Sequence, residues 1–247
     1  MQKILTTDWF EILIPLILGV LFAVLYLIET LGYSIREAGR SCGVTAMGYS
    51  LHTQFGTLAR MSTLIAMPII GYLLDNNISV HSIIIIPFTT TFVYSAVMVL
   101  VINSVEKFLL LIDIFFRWYI FKIYKINSEK ISEKNPQIVD SLESIWSVFL
   151  PSFFSFFVVV TGIFTSLVLA SVYHNHRAMI MQSTVVFTSI GTFISILIFD
   201  PKISSIIDRG GDYRSLIQII FVSRISAMLS MGFIVFVAYN FAGLSGE

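Results

Sequence analysis

Two arginines stand inside long apolar stretches of the sequence, where a charged side chain is costly. Arg60 precedes a run of mostly apolar residues, and Arg224 lies in the last apolar stretch between Ser223 and Ser226. Burying a guanidinium group in a bilayer costs from about 3 to more than 10 kcal/mol, so such residues usually have a function. We expect both to bind an anionic group. The structural alternative for each is a hydrogen bond to carbonyl groups at a helix end.

A second candidate site lies at the end of the first apolar stretch. Glu29, Tyr33, Arg36 and Arg40 are spaced 4, 3 and 4 residues apart, so they share one face of a helix. That face predicts either an anion site balanced by one carboxylate or an amphipathic helix end with snorkelling side chains. The spacing alone favours neither.

A mildly polar stripe follows Arg177, which begins a further apolar stretch. The same helical face continues with Thr184, Thr188, Gly191 and Ser195. Hydroxyl groups and a glycine on one face of an apolar helix predict that this helix lines a cavity.

The sequence predicts no metal site and no cofactor. His174 and His176 are close in sequence but have no neighbouring carboxylate or cysteine. The single Cys42 excludes a disulfide framework. Motifs for nucleotide-driven transport, zinc proteases and serine hydrolases are absent from the sequence, so we expect a protein that is not an enzyme.

The apolar stretches predict an all-α polytopic membrane protein. Of the 247 residues, 56% are hydrophobic and 12% charged, against roughly 25% charged in a soluble domain. The stretches are continuous over about 20 residues, which predicts helices and not the alternating strands of a barrel. We predict one transmembrane domain over residues 1–247 with about six spans, at 9–31, 56–74, 83–101, 145–173, 178–199 and 216–241.

The segments between these spans have their own predictions. Residues 106–126, including Arg117, mix large apolar side chains with charges and predict an interfacial amphipathic helix. The semi-polar residues 44–55 either extend the second helix or lie in the interface. We expect Asp200 and Pro201 to end the fifth span, because proline lacks an amide donor and restricts the residue before it.

Lysine and arginine are distributed unevenly about the spans. The links after spans one, three and five hold eleven of them, and the opposite side holds two. The positive-inside rule therefore predicts that both termini lie outside the cytoplasm. Arg36, Arg60, Arg117 and Arg224 would then lie toward the cytoplasmic half, and Arg177 toward the outer side. The formal net charge of zero argues against a nucleic-acid partner.

Four groups of residues occur in an order typical of one protein family. They are residues 28–39 (Ile-Glu-Thr-Leu-Gly-Tyr-Ser-Ile-Arg-Glu-Ala-Gly), 58–63 (Leu-Ala-Arg-Met-Ser-Thr) with 68–71 (Pro-Ile-Ile-Gly), 176–178 (His-Arg-Ala) with 182–183 (Gln-Ser), and 199–201 (Phe-Asp-Pro) with Asp208 and Arg224. Together they resemble the Amj family of bacterial lipid II flippases, the alternates to MurJ. Ala59 and Met61 depart from that pattern, since the family usually has Ser and often has Thr there.

The resemblance implies a flippase that moves undecaprenyl-pyrophosphate-linked disaccharide-pentapeptide, lipid II, to the outer leaflet of a bacterial cytoplasmic membrane. Its partners would be this lipid and the membrane lipids, without a cofactor. Arginine forks bind phosphate oxygens bidentately. The expected substrate-binding residues are Glu29, Tyr33, Arg36, Arg60, Arg117, Arg177 and Arg224. Two alternatives stay open, a scaffold subunit of an envelope complex and an intramembrane enzyme acting on a lipid phosphate.

Overall fold

The computed structural model describes residues 8–76, 78–124, 142–208 and 213–244. These ranges are helical almost throughout and contain no strand, which confirms the predicted all-α class. Their α-helices are α1 (Asp8–Leu31), α2 (Tyr33–Ser41), α3 (Thr45–Asp75), α4 (Val80–Asn103), α5 (Val105–Tyr119), α6 (Leu142–Val172), α7 (Arg177–Ile194), α8 (Asp200–Asp208) and α9 (Tyr213–Leu244).

Several of these helices are long and apolar enough to cross a bilayer. Within the described ranges there are five such segments, Glu11–Ser41, Val80–Asn103, Ile145–Val172, His174–Ile207 and Tyr213–Phe241. They confirm a polytopic membrane protein. The predicted second span, residues 56–74, falls inside α3, whose described apolar part is Ile65–Asp75.

Helix α6 packs extensively against both α7 and α9, and α9 in turn packs against α4. Helix α1 packs against α4 and α3, and the short α2 joins α3 to α5. Large buried side chains fill the centre, among them Phe22, Tyr94, Phe164 and Phe221. Because α7 rests mainly on α6, much of its apolar surface faces outward.

Glycines let α2 lie directly on the first part of α3. A Cβ atom on Gly39 would lie 2.6 Å from the Cα of Gly48. The chain reverses between the two helices at Gly43, whose φ of 76° is in the left-handed region that favours glycine. Residues 45–55 therefore extend helix α3, one of the two alternatives that the sequence left open.

The helix that begins with α7 continues past Pro201. A π-helical turn, Ser195–Phe199, joins α7 directly to α8. The prediction that Asp200 and Pro201 end the fifth span is therefore wrong. A π turn displaces the amide–carbonyl pairing by one residue, so a proline without an amide donor is accommodated within the helix. As a result Asp200 stands inside a helix and faces α2.

Helix α5 and the π turn Ile120–Tyr124 occupy most of the predicted interfacial segment 106–126. Phe116 and Ile120 are buried against α2 and α3, whereas Leu111 and Trp118 are exposed. This division is that of an amphipathic helix. Residues 125–141 and 209–212, between α5 and α6 and between α8 and α9, lie outside the described residues.

Candidate anion-binding site

Arg224 of α9 is almost completely buried, with 1% of its surface exposed. Its guanidinium group donates a hydrogen bond to the hydroxyl of Thr30 at 3.1 Å and lies 3.7 Å from Oε1 of Glu29, both in α1. The rings of Tyr33 and Phe156 each have their centroid 4.8 Å from its central carbon. One carboxylate and two cation–π contacts thus hold the charge inside the bundle.

Arg36 of α2 is a second buried guanidinium group, with 3% of its surface exposed. One of its nitrogens lies 3.3 Å from Oδ1 of Asp200, and the ring of Tyr49 in α3 is 4.5 Å from its central carbon. Charge-assisted hydrogen bonds are normally about 2.7–2.9 Å long. No residue that the structure describes accepts a hydrogen bond from the three nitrogens of this guanidinium group. Arg36 therefore keeps donors for another acceptor.

The ring of Tyr33 lies against both guanidinium groups. Its centroid is 4.8 Å from the central carbon of Arg224 and 5.5 Å from that of Arg36, so the two carbons are at most roughly 10 Å apart. The hydroxyl of Tyr213 donates to the carbonyl oxygen of Tyr33 at 2.5 Å, and the ring of His52 lies 4.2 Å from the Tyr33 ring. Helices α2, α3 and α9 thereby fix one aromatic ring beside two cations.

A cavity of about 530 Å³ opens beside Arg224 and Glu29. Hydroxyl side chains of α7 and the following π turn line it, namely Thr188, Ser189, Thr192 and Ser195. The rest of the lining is mostly apolar and comes from α1, α3, α6, α7 and the π turn. Charge, hydroxyl groups and an apolar wall therefore meet in one cavity, which suits an amphiphile with an anionic headgroup.

The polar stripe predicted on α7 supplies part of this lining. Thr188, Gly191 and Ser195 do line the cavity, as the helical spacing predicted. Thr184 is instead buried, and its hydroxyl donates to the carbonyl oxygen of Met181 at 2.7 Å.

Arg177 lies at the other end of α7 from this cavity. It is separated from Ser195 by the 18 residues of that helix, a length of about 27 Å at 1.5 Å per residue. Its Nε donates to the carbonyl oxygen of Ala170 at 3.2 Å, and another guanidinium nitrogen donates to that of Leu74. Arg177 thus caps the carboxyl ends of α6 and α3.

Arg117 lies on α5 and pairs with Asp113 one helical turn away, with 2.8 Å between Nε and Oδ2. Asp113 also accepts a hydrogen bond from the hydroxyl of Ser41, at the end of α2. Burial alone would raise the pKa of Asp113, but the bonds from Arg117 and Ser41 lower it below its ordinary value. Arg117 therefore belongs to the contact between α5 and α2.

Arg60 follows Ala59, which lines the cavity, in the middle of α3. Its side chain lies outside the described part of the structure. The sequence-predicted residues that the fold brings together are therefore Glu29, Tyr33, Arg36 and Arg224.

A family model described as "Amj: Alternate to MurJ" matches residues 21–235. The chain belongs to the Amj family. The resemblance inferred from the sequence is thereby confirmed. No curated protein and no solved structure matches the chain. The Amj match includes both buried arginines, their carboxylate partners and every residue that lines the cavity.

Asp200 belongs to the Amj resemblance, but it was not among the predicted site residues. A signal for it was present, because two arginines in apolar surroundings need counter-charges and Asp200 ends an apolar run. Tyr49 and His52 had no such signal. Their positions depend on the close contact between α2 and α3, which the sequence does not specify.

Proposed function

We propose that this protein is a flippase for lipid II in the bacterial cytoplasmic membrane. The observation that carries the proposal is the pair of buried guanidinium groups, Arg36 and Arg224, that both lie against the ring of Tyr33. Membership of a family described as alternate to MurJ supports transport as the class of activity.

The two arginines suit a pyrophosphate. Guanidinium groups bind phosphate oxygens through paired, charge-assisted hydrogen bonds. The guanidinium carbons of Arg36 and Arg224 are at most roughly 10 Å apart, which keeps both within reach of a single pyrophosphate group. Nε of Arg224 and all three guanidinium nitrogens of Arg36 make no hydrogen bond within the described structure, so these donors would serve the ligand.

The cavity suits the parts of the lipid on each side of the pyrophosphate. The hydroxyl groups of Thr188, Thr192 and Ser195 would hydrogen-bond to the sugar next to the phosphate. The outward apolar side chains of α7, such as Val185 and Phe193, would lie along the prenyl chain. The tail would then stay in lipid while the charged headgroup enters the bundle.

The other predicted substrate-binding residues have separate places in this proposal. Glu29 balances Arg224 before the lipid binds. Arg60, which follows Ala59 in α3, stays a predicted substrate-binding residue. Arg117 is assigned to the entrance beside α2 and α5, and Arg177, about 27 Å along α7, to the side of release.

The test is complementation in cells depleted of their other lipid II flippases, with lipid II exposed on the outer surface as the readout. Arg36→Ala and Arg224→Ala should each lower exposure at least about tenfold, because a hydrogen bond to a charged group contributes about 1.5–3 kcal/mol. Arg224→Lys should also be impaired, since lysine keeps the charge but loses the planar fork.

The matched control is Arg214→Ala, an exposed arginine of the same helix that pairs with Glu106. It should retain exposure close to that of the wild type. Normal exposure in the Arg36 and Arg224 variants, at normal protein levels, would contradict the assigned site. Phosphate release from the lipid without exposure would favour the lipid-phosphate enzyme instead.

A further inference from the structure

The cavity beside Arg224 is much smaller than the headgroup of the proposed substrate. Its volume is about 530 Å³, and cavities of roughly 300–1,000 Å³ enclose drug-sized ligands, which have about 20–40 non-hydrogen atoms. A pyrophosphate with one sugar has about 20–30 such atoms, whereas the complete disaccharide-pentapeptide pyrophosphate has about 80. On the basis of the proposed function, we infer that the cavity recognises the pyrophosphate and its adjacent sugar alone. The substrate class is then any polyprenyl pyrophosphate that carries such a sugar, whatever follows it.

The hydroxyl groups of the cavity form a strip along one helix face. Its members, here called the hydroxyl strip, are Thr188, Ser189, Thr192 and Ser195. Residues 188 and 195 are seven positions apart, which is about 10 Å at 1.5 Å per residue. Ser195 also interacts with the side chain of Tyr33, so the strip begins at the anion site. One turn beyond its other end, the hydroxyl of Thr184 is buried and donates to the carbonyl oxygen of Met181. The strip therefore suits one sugar that directly follows the phosphates.

Much of the other lining is apolar and would not satisfy a peptide. It includes Leu25 of α1, with Val159 and Ile163 of α6. A pentapeptide brings amide N–H and carbonyl groups that each need a hydrogen-bond partner once they leave water. Burying them against apolar side chains without such partners would destabilise the complex. Because the cavity is only partly enclosed, the peptide can extend out of it instead.

Glu29 fits a sugar better than a peptide. It lines the cavity, its side chain is 20% exposed, and its Oε1 lies 3.7 Å from a guanidinium nitrogen of Arg224. An ionised carboxylate accepts hydrogen bonds and donates none. It can therefore bind the hydroxyl groups of a sugar, whereas it repels the carboxylates of a peptide. Glu29 and the hydroxyl strip together supply acceptors and donors for an uncharged sugar.

The experiment measures how short-prenyl analogues of the lipid bind to the full chain in lipid nanodiscs. The complete analogue carries the disaccharide-pentapeptide pyrophosphate, and the one-sugar analogue carries the pyrophosphate with its first sugar alone. The methyl-capped analogue replaces that sugar with a methyl group, which keeps the diester charge. We expect the dissociation constants of the complete and one-sugar analogues to agree within about threefold. The methyl-capped analogue should bind at least about tenfold more weakly, because it makes no hydrogen bond to the hydroxyl strip.

Substitutions on α7 test whether the hydroxyl strip binds the sugar. Thr188→Val and Thr192→Val each remove one hydroxyl group at nearly constant side-chain volume. Each should weaken binding of the one-sugar analogue about two- to tenfold and leave that of the methyl-capped analogue unchanged. The matched control is Thr184→Val on the same helix, whose hydroxyl bonds within α7. It should leave all the dissociation constants unchanged.

The wild-type protein alone separates this inference from the proposed function. Binding of the one-sugar analogue more than about threefold weaker than that of the complete analogue would show that the second sugar or the peptide is also bound, and would overturn the inference. A smaller loss than about tenfold for the methyl-capped analogue would overturn it too, because the sugar would then contribute little. Both results leave the flippase proposal standing. Absence of binding by every analogue contradicts the proposed function, and the inference with it.

Discussion

The hydroxyl of Thr30 links Arg224 to the opposite wall of the bundle. It accepts a hydrogen bond from the guanidinium group at 3.1 Å and shares another with the hydroxyl of Tyr94 in α4 at 2.9 Å. All three side chains are buried, so the hydroxyl of Tyr94 depends on Thr30 for its hydrogen bond. Tyr94 therefore orients the hydroxyl of Thr30, which in turn orients the guanidinium group of Arg224.

Tyr94→Phe should weaken binding of a short-prenyl lipid II analogue about two- to tenfold. The phenol hydroxyl that this substitution removes does not itself contact the lipid. The lost hydrogen bond contributes about 0.5–1.5 kcal/mol, and Thr30 becomes free to turn away from Arg224. The measurement is the dissociation constant in nanodiscs. Tyr239→Phe is the control, because that hydroxyl contacts His81 and not the arginine site. Equal affinity in wild type and Tyr94→Phe would show that Thr30 needs no such support.

At the scale of elements, glycines determine how closely α7 can approach α6. A Cβ atom on Gly162 would lie 2.1 Å from the Cβ of Phe187, and one on Gly191 would lie 2.6 Å from the carbonyl oxygen of Ser155. Small residues of this kind are how helices approach each other in a membrane. Gly191 also lines the cavity, so the packing of α7 sets the width of the candidate site.

Gly191→Ala should push α7 from α6, with an overpacking cost of about 1–3 kcal/mol. We expect a lower unfolding temperature and less lipid II exposure. Gly71→Ala is the control, since nothing lies within 4 Å of its added Cβ atom. Alanine there should be neutral or stabilising, by up to about 1 kcal/mol. A Gly191→Ala protein as stable and active as the Gly71→Ala protein would mean that α6 and α7 adjust freely.

Part of this arrangement could be predicted from the sequence. Helical spacing alone placed Thr188, Gly191 and Ser195 on one cavity face, because the 3.6-residue period holds along any one helix. The ion pair of Arg36 with Asp200 could not be predicted. It depends on how two helices far apart in sequence pack, and on a π turn where proline suggested a helix end.

At the scale of the whole molecule, the site and Arg177 occupy opposite ends of α7. Composition and the length of the apolar runs were enough to predict the all-α polytopic class, because a bilayer leaves few alternatives. Composition could not predict which arginines lie together in one site. Arg36 and Arg224 lie near each other, whereas Arg177 caps α3 and α6 through their carbonyl groups.

Arg177→Gln should lower the free energy of unfolding by about 1.5–3 kcal/mol, because two helix-end carbonyls lose a charged donor. Thermal unfolding in nanodiscs measures this effect. Lys202→Gln, which alters an exposed cation at the start of α8, is the control and should change little. Unchanged unfolding together with reduced lipid II exposure would instead favour Arg177 as a contact on the side of release.

The π turn between α7 and α8 lets one continuous helix face both the cavity and Arg36 of α2. A π turn holds one residue more than an α turn, and each residue of an α-helix advances the angle by about 100°. The side chains before Ser195 and those after Phe199 therefore follow two angular series that are out of phase. In the first series, hydroxyl groups face the cavity; in the second, Asp200 faces Arg36. An α-helix without the π turn has a single angular series. It could not direct the hydroxyl groups toward the cavity and Asp200 toward Arg36 at the same time.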